Sequence, residues 1–264
     1  MPRQDDLDRI ARALREASGI LISRFRTGLA VRRKEGGDPV TEADHASNDA
    51  LRRLLPVEGD GWLSEETADD PARLGARRVW VVDPLDGTRE FVAGIPEWCV
   101  SIGLVEDGEP VAGGICNPAT GETVIGAAGL GVARNGDPVA AASRAVLEDA
   151  SVLASRSEVA RGEWERFRAA PFRVRACGSV AYKLGLVASG LADATWTLVP
   201  KHEWDVAAGT ALVRAAGGAV WTPTGEALRF NRPSPRLPGL IAASAALAPA
   251  AGEFLAVSVG AARL

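Results

Sequence analysis

The chain has 264 residues, 47% of them apolar and 24% charged, with a formal net charge of −4. That length supports one large domain or two modest ones, and the composition matches neither a disordered nor a fibrous protein. The acid excess leaves no basic surplus to neutralise a phosphate backbone, which weighs against a nucleic-acid polymer as partner. Three cysteines, Cys99, Cys116 and Cys177, are too few and too scattered for a disulfide framework or a cysteine-based zinc site, and they fit a reducing compartment. Residues 1–15 are charged and helical in pattern, without the apolar core of a signal peptide. No segment reaches the roughly 18 apolar residues of a membrane span. The expectation is a soluble, cytoplasmic protein with no membrane partner.

Leu7, Ile10, Ala11, Leu14, Ala17, Leu21 and Phe25 recur at helical spacing and predict an amphipathic helix over residues 5–25. A polar stretch with the basic run Arg32-Arg33-Lys34 leads to a Gly-rich loop at 34–39. A second helix is predicted from Thr41 to Leu55, stopped by Pro56. Gly61-Trp62-Leu63-Ser64 reads as a short strand ending in Glu65 and Glu66, and Val79-Trp80-Val81-Val82 as a buried strand. From 99 to 128, strand-like runs alternate with Gly, Asn and Pro turns and predict an antiparallel meander. The alanine-rich stretch at 139–145 marks a boundary, dividing the chain into residues 1–145 and 146–264. Beyond it the pattern predicts a strand at 151–154, a helix near 158–168, a strand near Val174, a helix over 179–189 and another over 204–216. Gly217-Gly218 closes the last of these.

The most informative stretch is Asp83-Pro84-Leu85-Asp86-Gly87-Thr88. It places two carboxylates three residues apart directly after a buried strand. Ligands of open α/β sheets gather at strand ends, and an all-oxygen donor set suits a hard cation such as Mg2+. Asp, Pro and Gly are also ordinary turn residues. Four further segments carry chemistry-bearing residues. Thr41 and Asp44 in Asp38-Pro39-Val40-Thr41-Glu42-Ala43-Asp44 also fit a capping box. Ser64-Glu65-Glu66 could be a polar loop. Trp204-Asp205-Val206-Ala207-Ala208-Gly209 opens a helix with an acid, which the helix dipole favours by itself. Gly178-Ser179 precedes a helix as a plain N-cap would. Each acid nevertheless sits at an element end, where side chains from separate segments can converge on one cleft.

Taken in order, the segments at 38–44, 64–66, 80–88 and 204–209 resemble the signature elements of the inositol monophosphatase superfamily. The resemblance spans the chain from the first helix to about Asn231. It implies a layered α/β/α/β/α sandwich (an α/β, or α+β, class fold) and a Mg2+-dependent, lithium-sensitive phosphomonoesterase. The N-terminal half would carry most metal ligands and the C-terminal half would complete the site. Carried over by position, Glu65, Asp83 and the Leu85 carbonyl would hold one ion, and Asp83, Asp86 and Asp205 a second. Asp44 would stand near a third through water, giving two to three Mg2+ per site. Thr88 would orient the attacking water, with either Glu65 or Asp44 taking its proton. The amides of Gly87 and Thr88 would face the phosphate. No nucleophilic Ser or Cys is needed, so the resemblance implies that water would attack directly. Family precedent implies a homodimer.

The superfamily acts on small phosphate esters that include inositol monophosphates, 3′-phosphoadenosine 5′-phosphate and fructose bisphosphate. Thr88-Arg89-Glu90-Phe91 resembles the form found in bacterial bisphosphate nucleotidases, where inositol phosphatases more often show Thr-Asn-Phe. Inositol phosphatases also place an acid about seven residues before the Asp of the Trp-Asp pair, and here Thr197-Leu198 stands there. Both features favour 3′-phosphoadenosine 5′-phosphate, with inositol 1-phosphate as the alternative. A second phosphate needs cations or hydroxyls, and Ser155, Arg156, Ser179, Lys183 and Lys201 are the candidates. Trp62, Trp80 and Trp204 read as core residues beside the cleft. A catalytically silent regulatory module of the same fold is disfavoured, because every signature acid and Thr88 are present.

Overall fold

The computed structural model describes residues 3–27, 31–33 and 39–261. Of the loop expected at 34–39, residues 34–38 lie outside them, Asp38 included, as do residues 1 and 2, while Pro39 opens a strand. Helix α1 (Arg3–Ile22) buries Ile10, Leu14, Ala17 and Leu21 along one stripe, as the spacing predicts. It stops three residues short of Phe25, which turns away to meet the rings of Phe91 and Trp98 at 5.5 and 5.1 Å. A two-stranded ribbon, β1 (Val31–Arg33) and β2 (Pro39–Thr41), leads into α2 (Glu42–Leu54). Thr41 caps α2 by the predicted box: its Oγ1 accepts from Ala43 N, and its own N–H donates to Asp44 Oδ2 at 2.8 Å.

The first sheet comprises β3 (Gly61–Ser64), β4 (Arg78–Asp86), β5 (Cys99–Glu106), β6 (Glu109–Asn117), β7 (Glu122–Ala127), β8 (Gly131–Arg134) and β9 (Asp137–Val139), with the five-residue helix α3 (Thr88–Val92) between β4 and β5. Its strands lie side by side in chain order. β3 pairs parallel with β4, and the rest form the predicted meander, carried further by β8 and β9.

The second sheet is built from β10 (Ser151–Ser155), β11 (Arg173–Cys177), β12 (Ala194–Thr197), β14 (Gly218–Trp221) and β16 (Leu240–Ser244), in the order β11-β10-β12-β16-β14. Between these strands run α4 (Arg156–Ala160), α5 (Val180–Ala188), α6 (Glu203–Ala215) and the ribbon of β13 (Lys201–His202) with β15 (Arg236–Leu237). Helix α7 (Ala248–Ala261) ends the described chain. The helix expected near 158–168 is shorter and earlier. α4 ends at Ala160, and Gly162 at φ 76° interrupts the helical path. The following turn delivers Trp164 and Phe167 to an aromatic cluster with Phe172 and Trp196.

Side-chain alternation fixes the layers. On β4, Trp80 and Val82 pack with Ile10, Leu14 and Leu51 of α1 and α2, while Val79 and Val81 pack with Leu184, Val206 and Leu212 of α5 and α6. On β16, Leu240 and Ala242 join that same central core, and Ile241 and Ala243 face a third core with Leu247 and Leu255 at α7. Two helices, a sheet, two helices, a sheet and a final helix therefore stack as α/β/α/β/α.

The small residues of Trp204-Asp205-Val206-Ala207-Ala208-Gly209 let α6 lie almost on its neighbours. A Cβ on Gly103 would come 2.9 Å from Ala207 Cβ, one on Gly113 2.5 Å from the Ala208 carbonyl, and one on Gly209 2.3 Å from Leu184 Cβ. That close approach brings the N-terminal turn of α6, with Asp205, to the end of β4.

Candidate active site

Residues three apart on a regular strand point to opposite faces. Asp83 and Asp86 instead face one cleft, because β4 carries a bulge between them. Asp83 pairs with Ser101 and Asp86 with Cys99, so β4 has one more residue than β5 across that interval. The strand predicted to end at Val82 thus continues to Asp86, and Pro84, which has no N–H to donate, sits in the bulge. The bulge is braced locally. Leu85 N–H donates to Asp83 Oδ1 at 3.0 Å, and Ser47 Oγ on α2 donates to the Pro84 carbonyl at 3.0 Å. Gly87 follows at φ 95°, where a side chain would crowd the Glu97 carbonyl at 3.0 Å.

A cleft of about 310 Å3 opens over this turn. Its lining includes Glu65, Asp83, Leu85, Asp86, Gly87, Thr88 and Asp205, together with Ser155, Ser179, Lys183 and Lys201. These are all of the sequence-derived candidates except Asp44 and Arg156. Arg89, Glu90, Ser157, Gly178 and Val180 line it as well, as does Arg161. No pattern pointed to Arg161, a residue after α4 whose guanidinium pairs with Glu163 at 2.6 Å. Asp44 is 1% exposed and lies behind Thr88. Arg156 pairs with Glu97.

Besides Asp83, two carboxylates are anchored by named donors. Asp86 Oδ2 accepts from Ser179 Oγ at 2.7 Å and Ala181 N at 2.6 Å, and Asp205 Oδ2 accepts from His202 N at 2.8 Å. Burial first, then the charges of Glu65, Asp86 and Asp205, push Asp83 well above the usual carboxylate range. Burial followed by Asp86 and Glu65 does the same to Asp205. Burial also raises Asp86, against its hydrogen bonds and the nearby Lys183. Buried Lys183 donates to the Ser179 carbonyl at 2.7 Å, and burial lowers its own pKa.

Among the described residues, no three acidic, His or Cys side chains close into an ion cage. The four acids are nonetheless near enough for each of Asp83 and Asp205 to be raised by its neighbours. The donor set is all oxygen: four carboxylates and the Leu85 carbonyl, which has two lone pairs and lies 3.1 Å from Thr88 Oγ1. Such a set fits Mg2+, and a divalent cation would relieve the repulsion that raises these acids.

Neither histidine lines the cleft. His45 Nδ1 lies 3.8 Å from Glu66, and His202 stacks on Trp204 at 4.5 Å. Trp62 and Trp80 lie in the core beneath α1 and α2. The three cysteines are free and buried. Among the described residues no helix is long and apolar enough to cross a membrane.

A layered α/β/α/β/α protein with an acid-lined cleft at a bulged strand end is the class that fold and site define. The sequence profile of the Inositol monophosphatase family matches residues 3–259. Inositol monophosphatase 3 of Solanum lycopersicum is 36% identical, covering 83% of this chain and 87% of its own. Among solved structures, an IMPase of Thermotoga maritima superposes with a TM-score of 0.83 at 28% identity, covering 97% of this chain and 98% of that one. CysQ from Bacteroides thetaiotaomicron, a bacterial member of the inositol monophosphatase family, gives 0.76 at 28% identity, covering 91% and 97%. The chain belongs to the inositol monophosphatase family. It is a phosphoric monoester hydrolase.

Proposed function

We propose that the cleft holds Mg2+ on Glu65, Asp83, Asp86, Asp205 and the Leu85 carbonyl, and hydrolyses a small phosphate monoester by direct attack of water. The observation that carries this reading is the bulge at Pro84, which turns Asp83 and Asp86 to the same side beneath Thr88. When bound, the cation supplies Lewis acidity toward the phosphate oxygens and the attacking water. The remaining work falls to the chain's own groups. With its hydroxyl hydrogen given to Asp44 Oδ1, Thr88 presents lone pairs to the cleft. A water donating to that oxygen is held with its own lone pair toward phosphorus. Its proton passes through Thr88 to Asp44, which meets the cleft only by way of that hydroxyl. The P–O bond to the alcohol breaks, and the leaving oxygen takes a proton from solvent.

For the ester we propose 3′-phosphoadenosine 5′-phosphate, losing its 3′-phosphate. Lys183, Lys201, Arg89 and Arg161 line the cleft and provide cations for a second phosphate. No acid stands at Leu198 to grip sugar hydroxyls. Inositol 1-phosphate is the second reading, favoured by the name of the 36% identical relative. Phosphate release from both esters, side by side with and without Mg2+, tests the choice. Preference for the nucleotide is expected, and preference for inositol 1-phosphate would reverse the assignment. Silence on both would refute this substrate reading.

A further inference from the structure

Glu97 lies outside the acidic cluster and outside the cleft lining, yet its carboxylate joins two segments of the cleft wall. One oxygen, Oε2, accepts the Gly178 N–H at 2.8 Å and also takes the guanidinium of Arg156. Arg156 sits between Ser155 and Ser157, which line the cleft, and Gly178 is followed by Ser179 and Val180, which line it too. Glu97 comes from the loop before β5, in the first sheet's half of the chain, and both of its partners come from the second.

The segment it holds cannot hold itself. Ser179 stands at φ 55°, ψ 127°, a conformation that L-residues rarely adopt and that persists only when neighbours impose it. Gly178 has no room for a side chain: a Cβ would lie 2.5 Å from Glu90 Cγ and 2.7 Å from the Glu97 carbonyl. Three groups impose the turn. Glu97 takes the Gly178 N–H, Asp86 takes Ser179 Oγ–H and Ala181 N–H, and Lys183 donates to the Ser179 carbonyl. Arg156 in turn fixes the Glu97 carboxylate by a charge-assisted bond.

We propose that Glu97, oriented by Arg156, is a positioning residue for the hydrolysis, locking the 155–157 and 178–180 walls of the cleft in register with the Asp83–Thr88 turn. It touches neither substrate nor reacting atoms. The inference rests on the cleft being the active site, as proposed above. Its loss lets the wall that meets the non-transferred part of the ester relax, so binding suffers before chemistry.

The test compares Glu97→Ala, Glu97→Gln, Arg156→Gln and the combination of Glu97→Ala with Arg156→Gln. All are assayed on whichever phosphate monoester the wild type turns over fastest, so a wrong choice of substrate shows in the wild type alone. Glu97→Ala is expected to raise KM about tenfold with kcat within about threefold, the signature of lost positioning. Glu97→Gln keeps an acceptor for Gly178 but loses the charge pair, so it and Arg156→Gln shift KM in the same direction by less. The combined variant is expected to be no worse than Glu97→Ala, since both changes break one pair. If Glu97→Ala fails to melt cooperatively, the two Gln variants carry the test. Unchanged KM in them, a parallel loss of kcat and melting temperature, or independent multiplying effects would overturn the proposal.

Discussion

Thr88 Oγ1 stands 3.2 Å from Asp44 Oδ1, joining a residue that lines the cleft to an acid on α2 that never reaches it. The other carboxylate oxygen of Asp44 is taken by Thr41, through its N–H at 2.8 Å and its Oγ1 at 2.7 Å. The helix cap therefore fixes the acid, and the acid fixes the hydroxyl. Thr88→Ala is expected to lower kcat by about 10²- to 10⁴-fold, the range for a positioned proton-transfer group, with KM little changed and Thr88→Ser largely active. Turnover of Thr88→Ala within a few fold of wild type would remove the hydroxyl from the mechanism.

The acidic cluster links metal, pH and stability. Asp83, Asp86 and Asp205 are held above the ordinary carboxylate value, which is about 3.9 for Asp in an unfolded chain. Above that value the folded, metal-free protein binds more protons than the unfolded chain. Its stability therefore falls as pH rises toward the raised values. The melting temperature without metal is expected to drop as pH rises above about 3.9, more steeply than with saturating Mg2+. Stabilisation by Mg2+ is about 2.7 kcal/mol at 100 times Kd, and the gap should widen with pH. Melting curves that ignore Mg2+ at every pH would contradict the metal assignment.

Lys201 reaches the cleft from β13 with its ammonium 3.4 Å from Glu158, a buried carboxylate that also accepts from Thr197 and Trp164. That pairing holds a cation in the cleft lining, where the substrate proposed above calls for one. Replacing Lys201 by Met removes a charge-assisted contact of about 1.5–3 kcal/mol. KM for the 3′,5′-bisphosphate should rise about 10- to 100-fold, with adenosine 3′-phosphate unaffected. Equal effects on both esters would show that Lys201 does not read the second phosphate.

Gly209 on α6 has no space beside Leu184. Gly209→Ala overpacks the central core and is expected to cost about 1–3 kcal/mol, seen as a melting point several degrees lower. Unchanged melting would mean that α5 and α6 separate without penalty.

The sequence made the acids legible because they sit in short motifs with fixed spacing, and β4, the meander, α5 and α6 because their apolar patterns are regular. The bulge was half-visible: Pro84 inside a strand announces an irregularity, but only pairing with β5 shows that Asp83 and Asp86 turn to one side. Arg161 and Glu97 carry no local signal, since their roles depend on segments far away in sequence. β16 carries no clear strand signal, because its alanine pair Ala242-Ala243 lacks the β-branched bias that marks strands. The helix expected at 158–168 gave way to tertiary aromatic packing, which periodicity does not encode.

Asp83 is the carboxylate that the family resemblance assigns to two cations, and Asp83→Asn keeps its shape while removing its charge. The most direct measurement is Mg2+-dependent phosphate release by Asp83→Asn beside wild type, with melting curves to confirm that both are folded. The account predicts a folded variant that retains less than about a hundredth of wild-type turnover, as loss of a main electrostatic contribution implies. Near-normal Mg2+-dependent turnover by a folded Asp83→Asn protein would contradict it.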